Sequence, residues 1–348
     1  MEESRYMRNR RREQERLRQK RAVRRFMFLL ILLAVTASAA FYVFFVKDHD
    51  SSLRFAYDPY SQVFGIGQVS LDLGTADSFA EDLCVAPTDV NVDSLSLESS
   101  SAGIFDQAGL SVPYAKQIHE RRYPASLTKI MTCLVALKYG NLDDLVTIGQ
   151  ECYNVDEGSS VCGIIPGDQV TLGELLYGLM LNSGNDAAMS IAVHVGGSVD
   201  AFVDLMNQEA ARIGATQTHF MNPHGLQDED HYTTVYDIYL MFQEALKYDE
   251  FQDIITHHNY YITIPNIDGT SRDITWETTN YYFLGMASGP KDVQINGGKT
   301  GTTDEAGSCL CLYSKNKYGN PFITIIMGAS DKETLYSEMN ELLSKINN

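Results

Sequence analysis

The sequence predicts an α/β (α+β) domain: an antiparallel sheet flanked by helices, with an all-helical lobe beside it, preceded by one N-terminal transmembrane helix. Three observations lead there. Strand-like runs lie near 103–114 and again between 261 and 327, at the two ends of the folded part. Between them, apolar residues recur at helical spacing, so distant segments must meet in one sheet while the middle packs as a separate lobe. Ahead of both, residues 26–46 (FMFLLILLAVTASAAFYVFFV) form 21 uncharged, mostly apolar positions, enough to cross a bilayer as a helix.

Charge divides the chain in the same way. Residues 1–25 carry eleven Arg/Lys against four Glu, or +7, whereas the whole chain is -18, which leaves -25 for the remainder. A basic tail before an acidic body invites a nucleic-acid reading, but a basic flank beside an apolar span has a simpler cause. Such loops stay cytoplasmic, so 1–25 reads as a cytoplasmic tail, 26–46 as a signal-anchor, and no nucleic-acid partner is expected. Localisation is then the cell membrane, single-pass, with residues 47–348 outside. The competing reading is a cleaved signal peptide, since Ala37-Ser38-Ala39 fits a cleavage site. The apolar run continues past that site, which favours an uncleaved anchor. Residues 47–79 lack sustained periodicity and read as a stalk, and 80–348 as the folded domain.

Within that domain, residues 103–105 and 111–114 read as short strands around a turn, followed by a helix over 127–137. Thr171 and Glu174 form a capping box that opens a helix through about Met180. A glycine-containing break at 183–185 precedes helices over 186–195 and from Ser198, the latter burying Phe202, Leu205, Met206 and Ile213. A further helix is predicted over 234–246, strands at 261–264 and before Lys299, and a hairpin of 308–313 with 321–327. A helix over 332–346 closes the chain. Of the six cysteines, Cys152 and Cys162 bracket a short loop and make the most plausible disulfide; Cys133, Cys309 and Cys84 read as buried thiols. No Cys/His spacing points to zinc, and no cofactor is expected.

Chemistry enters at Ser126-Leu127-Thr128-Lys129. Positions three apart on a helix share a face, so the Lys129 amine can reach the Ser126 hydroxyl. Serine is a poor nucleophile without an adjacent base, and lysine serves when burial lowers its pKa. Alone the pattern is weak: Ser314-Lys315-Asn316-Lys317 repeats it on the predicted hairpin turn, where the side chains are expected to be solvated and without a role. Ser183-Gly184-Asn185 supplies a hydroxyl suited to passing a proton and an amide suited to holding a substrate backbone. Lys299-Thr300-Gly301 supplies a cation and a hydroxyl for a carboxylate, on a strand whose glycines admit an extended substrate. Their order and placement together carry the argument.

Around these motifs the sequence resembles the low-molecular-mass D-Ala-D-Ala carboxypeptidases, a family of penicillin-binding proteins with the β-lactamase/transpeptidase-like fold. Tyr123–Thr132, Leu181–Ala188, Asn222-Pro223-His224-Gly225-Leu226 and Gly298–Gly307 each resemble a family signature, over about residues 80–330. The resemblance implies a penicillin-binding serine D,D-carboxypeptidase acting on peptidoglycan stem peptides that end in D-Ala-D-Ala, with β-lactams as covalent inhibitors. Ser126 would be acylated, with Lys129 as general base and Ser183 assisting. The oxyanion would lie between the N–H groups of Ser126 and Thr302, and Asn185, Lys299, Thr300, Gly301 and Thr302 would bind substrate. His224 tempts a Ser-His reading, but a histidine between Pro and Gly is expected to be structural. Two departures stand out. Many relatives carry a C-terminal β-rich domain with an amphipathic anchor, whereas 18 residues follow Ser330 here, so the N-terminal span is the expected anchor. Some relatives place an Arg in a late strand near the carboxylate site, and residues 321–330 contain none.

Rival readings share the superfamily. A class A β-lactamase is disfavoured by Gly184 between Ser183 and Asn185, where those enzymes have Asp, and by the absence of Glu from 220–226. A D,D-endopeptidase would use the same machinery. A silent β-lactam sensor needs a signalling partner domain, for which 25 cytoplasmic residues are too few.

Overall fold

A computed structural model describes residues 81–90, 95–265 and 270–347; the predicted tail, membrane span and stalk lie outside the described residues. Within them, a five-stranded antiparallel sheet is assembled from both ends of the domain. Its strands are β1 (Ser101–Asp106), β2 (Ser111–Lys116), β7 (Gln294–Thr303), β8 (Gly307–Lys315) and β9 (Pro321–Ala329), the four remaining strands forming two small two-stranded sheets. The order β2-β1-β9-β8-β7 inserts the first hairpin's β1 against the last strand, pairing Ser101 with Met327 through to Asp106 with Phe322. The first group of predicted strands therefore does share one sheet with those from 294 onward, whereas the strand predicted at 261–264 falls in a separate two-stranded sheet; β7 is left as an edge.

Alternation along β8 and β9 sends side chains to two different cores. Cys309, Cys311, Ile323 and Ile325 face the helices, while Leu310, Leu312, Phe322 and Ile326 meet the last helix, α7 (Lys332–Leu343), through Leu335, Met339 and Leu342. On the helical side, α1 (Thr128–Tyr139) buries every residue from Thr128 to Ala136 and so occupies the centre of the larger core. Around it are α2 (Leu172–Met180), α3 (Asn185–Gly196), α4 (Val199–Arg212), α5 (Val235–Ala245) and α6 (Asp249–Thr256). The expected caps are present. Thr171 and Glu174 close a full capping box on α2, and Ser198 and Thr234 cap α4 and α5.

Several elements have no clear pattern in the sequence. α6 has only eight residues and no side-chain cap. β6 (Ser271–Glu277), which pairs with β5 (Asn259–Pro265), reads as polar because Trp276 is its one fully buried residue. β3 (Leu145–Thr147) and β4 (Gln169–Thr171) have three residues each, too few for a period to show. Two expectations are corrected. All six cysteines are buried free thiols, so Cys152 and Cys162 are not bonded. Cys162 instead turns its sulfur onto Gly178 and Gly184, where a methyl group would stand only 3.1 and 3.0 Å from Sγ. Ser314 is not on the turn: it belongs to β8 and is fully buried, with its hydroxyl unpartnered, while Lys317 lies over the Tyr318 ring.

Candidate active site

The three motifs arrive on three elements. Ser126 sits in a single 3-10 turn, Ala125–Leu127, that leads directly into α1, so Lys129 follows in the first turn of that helix. Ser183 lies in the break between α2 and α3 and Asn185 opens α3; Lys299, Thr300, Gly301 and Thr302 run along β7. The break needs an uncommon backbone, because Ser183 has φ 58°, a left-handed value that costs about 1–3 kcal/mol in a non-glycine residue. Asp186 holds the chain there by accepting hydrogen bonds from the Cys162 and Gly163 N–H groups at 2.8 and 2.9 Å.

Ala125, immediately before the candidate nucleophile, also has a left-handed backbone, with φ 46°. Three neighbours fix it. Thr128 Oγ1 donates to the Ala125 carbonyl at 2.9 Å and lies 2.8 Å from His231 Nε2. The Met221 N–H donates to His231 Nδ1 at 3.1 Å, so the ring proton belongs on Nε2 and is given to Thr128. Burial holds His231 neutral, its pKa pushed down to about 4. The third neighbour is Gly225, whose backbone presses so closely that a methyl group there would stand 1.9 Å from the Ala125 oxygen. Only glycine fits, both for that space and for its φ of 91°.

Lys129 is wholly buried, and its Nζ has three neighbours: Ser126 Oγ at 3.1 Å, Asn185 Oδ1 at 2.7 Å and the His224 carbonyl at 2.7 Å. Two of these can only accept, so two N–H bonds are committed to them. The position facing Ser126 then carries either a third N–H or, in the amine, a lone pair. Burial drives the pKa well below that of a free lysine, and nearby Lys299 adds to the effect, which favours the lone pair. The sequence missed this use of His224: the backbone carbonyl, not the ring, serves the site, and a carbonyl has no signature in sequence. Burial and neighbouring Lys129 hold the His224 ring neutral, with its pKa down to about 3.

Lys299 is equally buried and donates to Ser183 Oγ at 2.9 Å and to the Thr300 carbonyl at 3.0 Å. Burial lowers its pKa to about 7. Ser183 is thus partnered with Lys299, and Asn185 with Lys129. Gly301 lies across from the nucleophile: a methyl group there would stand 3.0 Å from the Ser126 nitrogen. The Ala125–Leu127 turn therefore packs directly against β7, which sets the Ser126 N–H beside that strand, with Thr302 exposed next along it. Among the described residues no cluster of His, Cys, Asp and Glu is arranged to hold a metal.

Comparison with known proteins places the chain in a family. The family model described as D-alanyl-D-alanine carboxypeptidase matches residues 88–331. "D-alanyl-D-alanine carboxypeptidase DacF" of Bacillus subtilis (strain 168) is 32% identical over 72% of this chain, and the match spans 62% of that relative, less than two thirds. "D-alanyl-D-alanine carboxypeptidase DacC" of Escherichia coli (strain K12) is 32% identical, over 79% of this chain and 68% of its own length. Among solved structures, the Streptomyces K15 DD-transpeptidase superposes with a TM-score of 0.67 at 29% identity, over 73% of this chain and 98% of its own. With three motifs in one cleft and the family model matched across them, the chain belongs to the D-alanyl-D-alanine carboxypeptidase family.

Proposed function

We propose that this protein is a serine D,D-carboxypeptidase that removes the terminal D-Ala from peptidoglycan stem peptides through an acyl-enzyme on Ser126. The observation that carries the reading is the Ser126 hydroxyl 3.1 Å from the amine of a fully buried lysine. Lys129, as an amine, takes the proton from Ser126 while Oγ attacks the carbonyl of the penultimate D-Ala. The negative oxygen forms between the Ser126 and Thr302 N–H groups, at the positive end of α1. Collapse breaks the peptide bond, and the leaving D-Ala amine takes up the proton that Lys129 removed from Ser126, with Ser183 assisting the transfer, which returns Lys129 to the amine. Water activated by Lys129 then cleaves the ester.

Lys299 and Thr300 bind the terminal carboxylate, Asn185 holds the substrate backbone through its amide N–H group, and Gly301 lets the Ser126 turn pack against β7. β-Lactams, which present a carboxylate and a strained amide, acylate the same serine. A cleaved penicillin should leave slowly, because neither Gly184 nor residues 220–226 supply the carboxylate that a β-lactamase uses. A second reading has support in the names of one relative. The Streptomyces K15 protein is called a carboxypeptidase as a sequence and a DD-transpeptidase as a structure. The same acyl-enzyme can pass to water or to an amine, and D,D-endopeptidase action on cross-links uses the same site. The apolar run at 26–46 and its basic flank support a single-pass anchor that holds the enzyme on the outer side of the membrane, where its substrate lies.

The test is to incubate the full chain in detergent with a peptide ending in D-Ala-D-Ala and with labelled penicillin. Release of D-Ala and a slow-clearing adduct, both lost in Ser126→Ala, are the expected result. Rapid penicillin turnover would make it a β-lactamase, and an adduct without peptide cleavage would make it a sensor. The anchor is checked by fractionation: deleting 26–46 should move the protein out of the membrane pellet.

A further inference from the structure

Thr300 is one of the two residues assigned to the terminal carboxylate, yet its hydroxyl already has a partner inside the protein. Thr279 Oγ1 lies 2.5 Å from Thr300 Oγ1. A hydroxyl has one proton to give, and two hydroxyls facing each other can use theirs in only two ways. If Thr300 donates to Thr279, its proton is spent and its oxygen turns lone pairs toward an incoming anion. If Thr279 donates to Thr300, the Thr300 proton is free to point into the site. An arriving carboxylate selects the second arrangement, since only that one presents a donor.

We infer that Thr279 is a positioning residue for carboxylate recognition, donating its proton to Thr300 so that Thr300 donates to the substrate. The inference rests on the carboxypeptidase reading for the identity of the anion. Three features of the structure support it. Among the described contacts, Thr279 Oγ1 has no acceptor besides Thr300 Oγ1, so nothing competes for its proton. The segment carrying it is tied down on both sides: the Thr278 N–H donates to the His258 carbonyl at 2.9 Å, and the Tyr281 N–H to Tyr336 Oη of α7 at 2.8 Å. Thr279 itself is half-buried, so it reaches the site without being part of a core. A chain of two hydroxyls ending on an anion also strengthens each bond in it. The need for such a donor is real, because Lys299 is buried and already gives two of its N–H groups to Ser183 and the Thr300 carbonyl.

The test compares the full-length wild type with Thr279→Val and Thr279→Ser on two peptides: one ending in free D-Ala-D-Ala, the other in its C-terminal amide. Valine keeps the shape and removes the proton. We expect Thr279→Val to lower kcat/KM on the free acid by about five- to tenfold, mainly through KM, and to leave the amide nearly unchanged. Thr279→Ser should restore the preference for the acid. An unchanged acid rate in Thr279→Val, an equal loss on both peptides, or no rescue by serine would each overturn the inference. If the wild type releases no D-Ala, the carboxypeptidase reading fails by itself. The same variants are then compared on the rate of Ser126 acylation by penicillin and by its carboxyl ester, with the same expected split. A wild type that does neither overturns both.

Discussion

Lys129 can act as a base only as an amine, and the protein arranges this by burial while still giving the nitrogen two acceptors to orient it. Arginine keeps the hydrogen bonds but cannot lose its proton. Lys129→Arg should therefore cut acylation by labelled penicillin by about a hundred- to ten-thousandfold while the protein stays folded. Lys299 titrates with the opposite consequence. Its pKa of about 7 makes it an ammonium below that pH and an amine above it, and the anionic substrate needs the ammonium. Accordingly, kcat/KM on a D-Ala-D-Ala acid should fall as pH rises through about 7, whereas the loss in kcat should set in at higher pH, because a bound carboxylate holds the proton. Lys299→Arg should remove that alkaline fall, and identical pH profiles for this variant and the wild type would contradict the assignment. At this scale the sequence was readable wherever side-chain type carried the chemistry, as at Ser126, Lys129 and Lys299. It was silent where the backbone did, as at the His224 carbonyl, and it could not tell which of Ser183 and Asn185 would reach which lysine.

Elements explain why those residues meet. Ala125 is held in a left-handed turn by Thr128, three residues on, and by His231 and Gly225 from one distant loop, and this turn aims Ser126 at β7. Gly225→Ala would drive a methyl group into the Ala125 carbonyl, so it should cost about 2–4 kcal/mol in stability and slow acylation as the turn shifts. Thermal unfolding together with penicillin labelling checks both. Thr128→Val, which removes the hydroxyl bridge without adding bulk, should slow acylation more than it lowers the unfolding temperature. α4 was legible because it buries one face at helical spacing, and α1 and α5 because their apolar runs are too long for a strand. α6 and β6 were not, since eight residues give little periodicity and β6 shows only Trp276 to the core.

For the whole molecule, the sheet separates a helical core carrying the nucleophile from a smaller one under α7, and the site lies where the helices meet the sheet's edge. The chain beyond the basic tail carries a net -25, from -18 overall and +7 in residues 1–25. An acidic body slows the approach of an anionic peptide, and salt screens that repulsion over about 10 Å at 0.1 M. Raising ionic strength should thus increase kcat/KM on the acid peptide by about two- to fivefold, with a smaller change on its amide. A fall with salt would show that local charge dominates. The sheet's composition from both chain ends was legible in the sequence, because strand patterns bracketed the helices. The absence of a Cys152–Cys162 bond was not, since spacing says nothing of which way Cys162 faces.

That β7 is the last strand of the sheet has a consequence for solubility. An unpaired strand edge is a template for a second copy of the chain, and proteins usually blunt such edges with charges, prolines or bulges. Here the edge must stay open for catalysis, and the one charged residue of β7, Lys299, is buried. The Ala125–Leu127 turn packs directly against the strand at Gly301, where a methyl group would stand 3.0 Å from the Ser126 nitrogen, and so stands as a wall against the broad approach that a β-sheet partner needs. The same wall that aims the nucleophile keeps the protein from polymerising through its own active site.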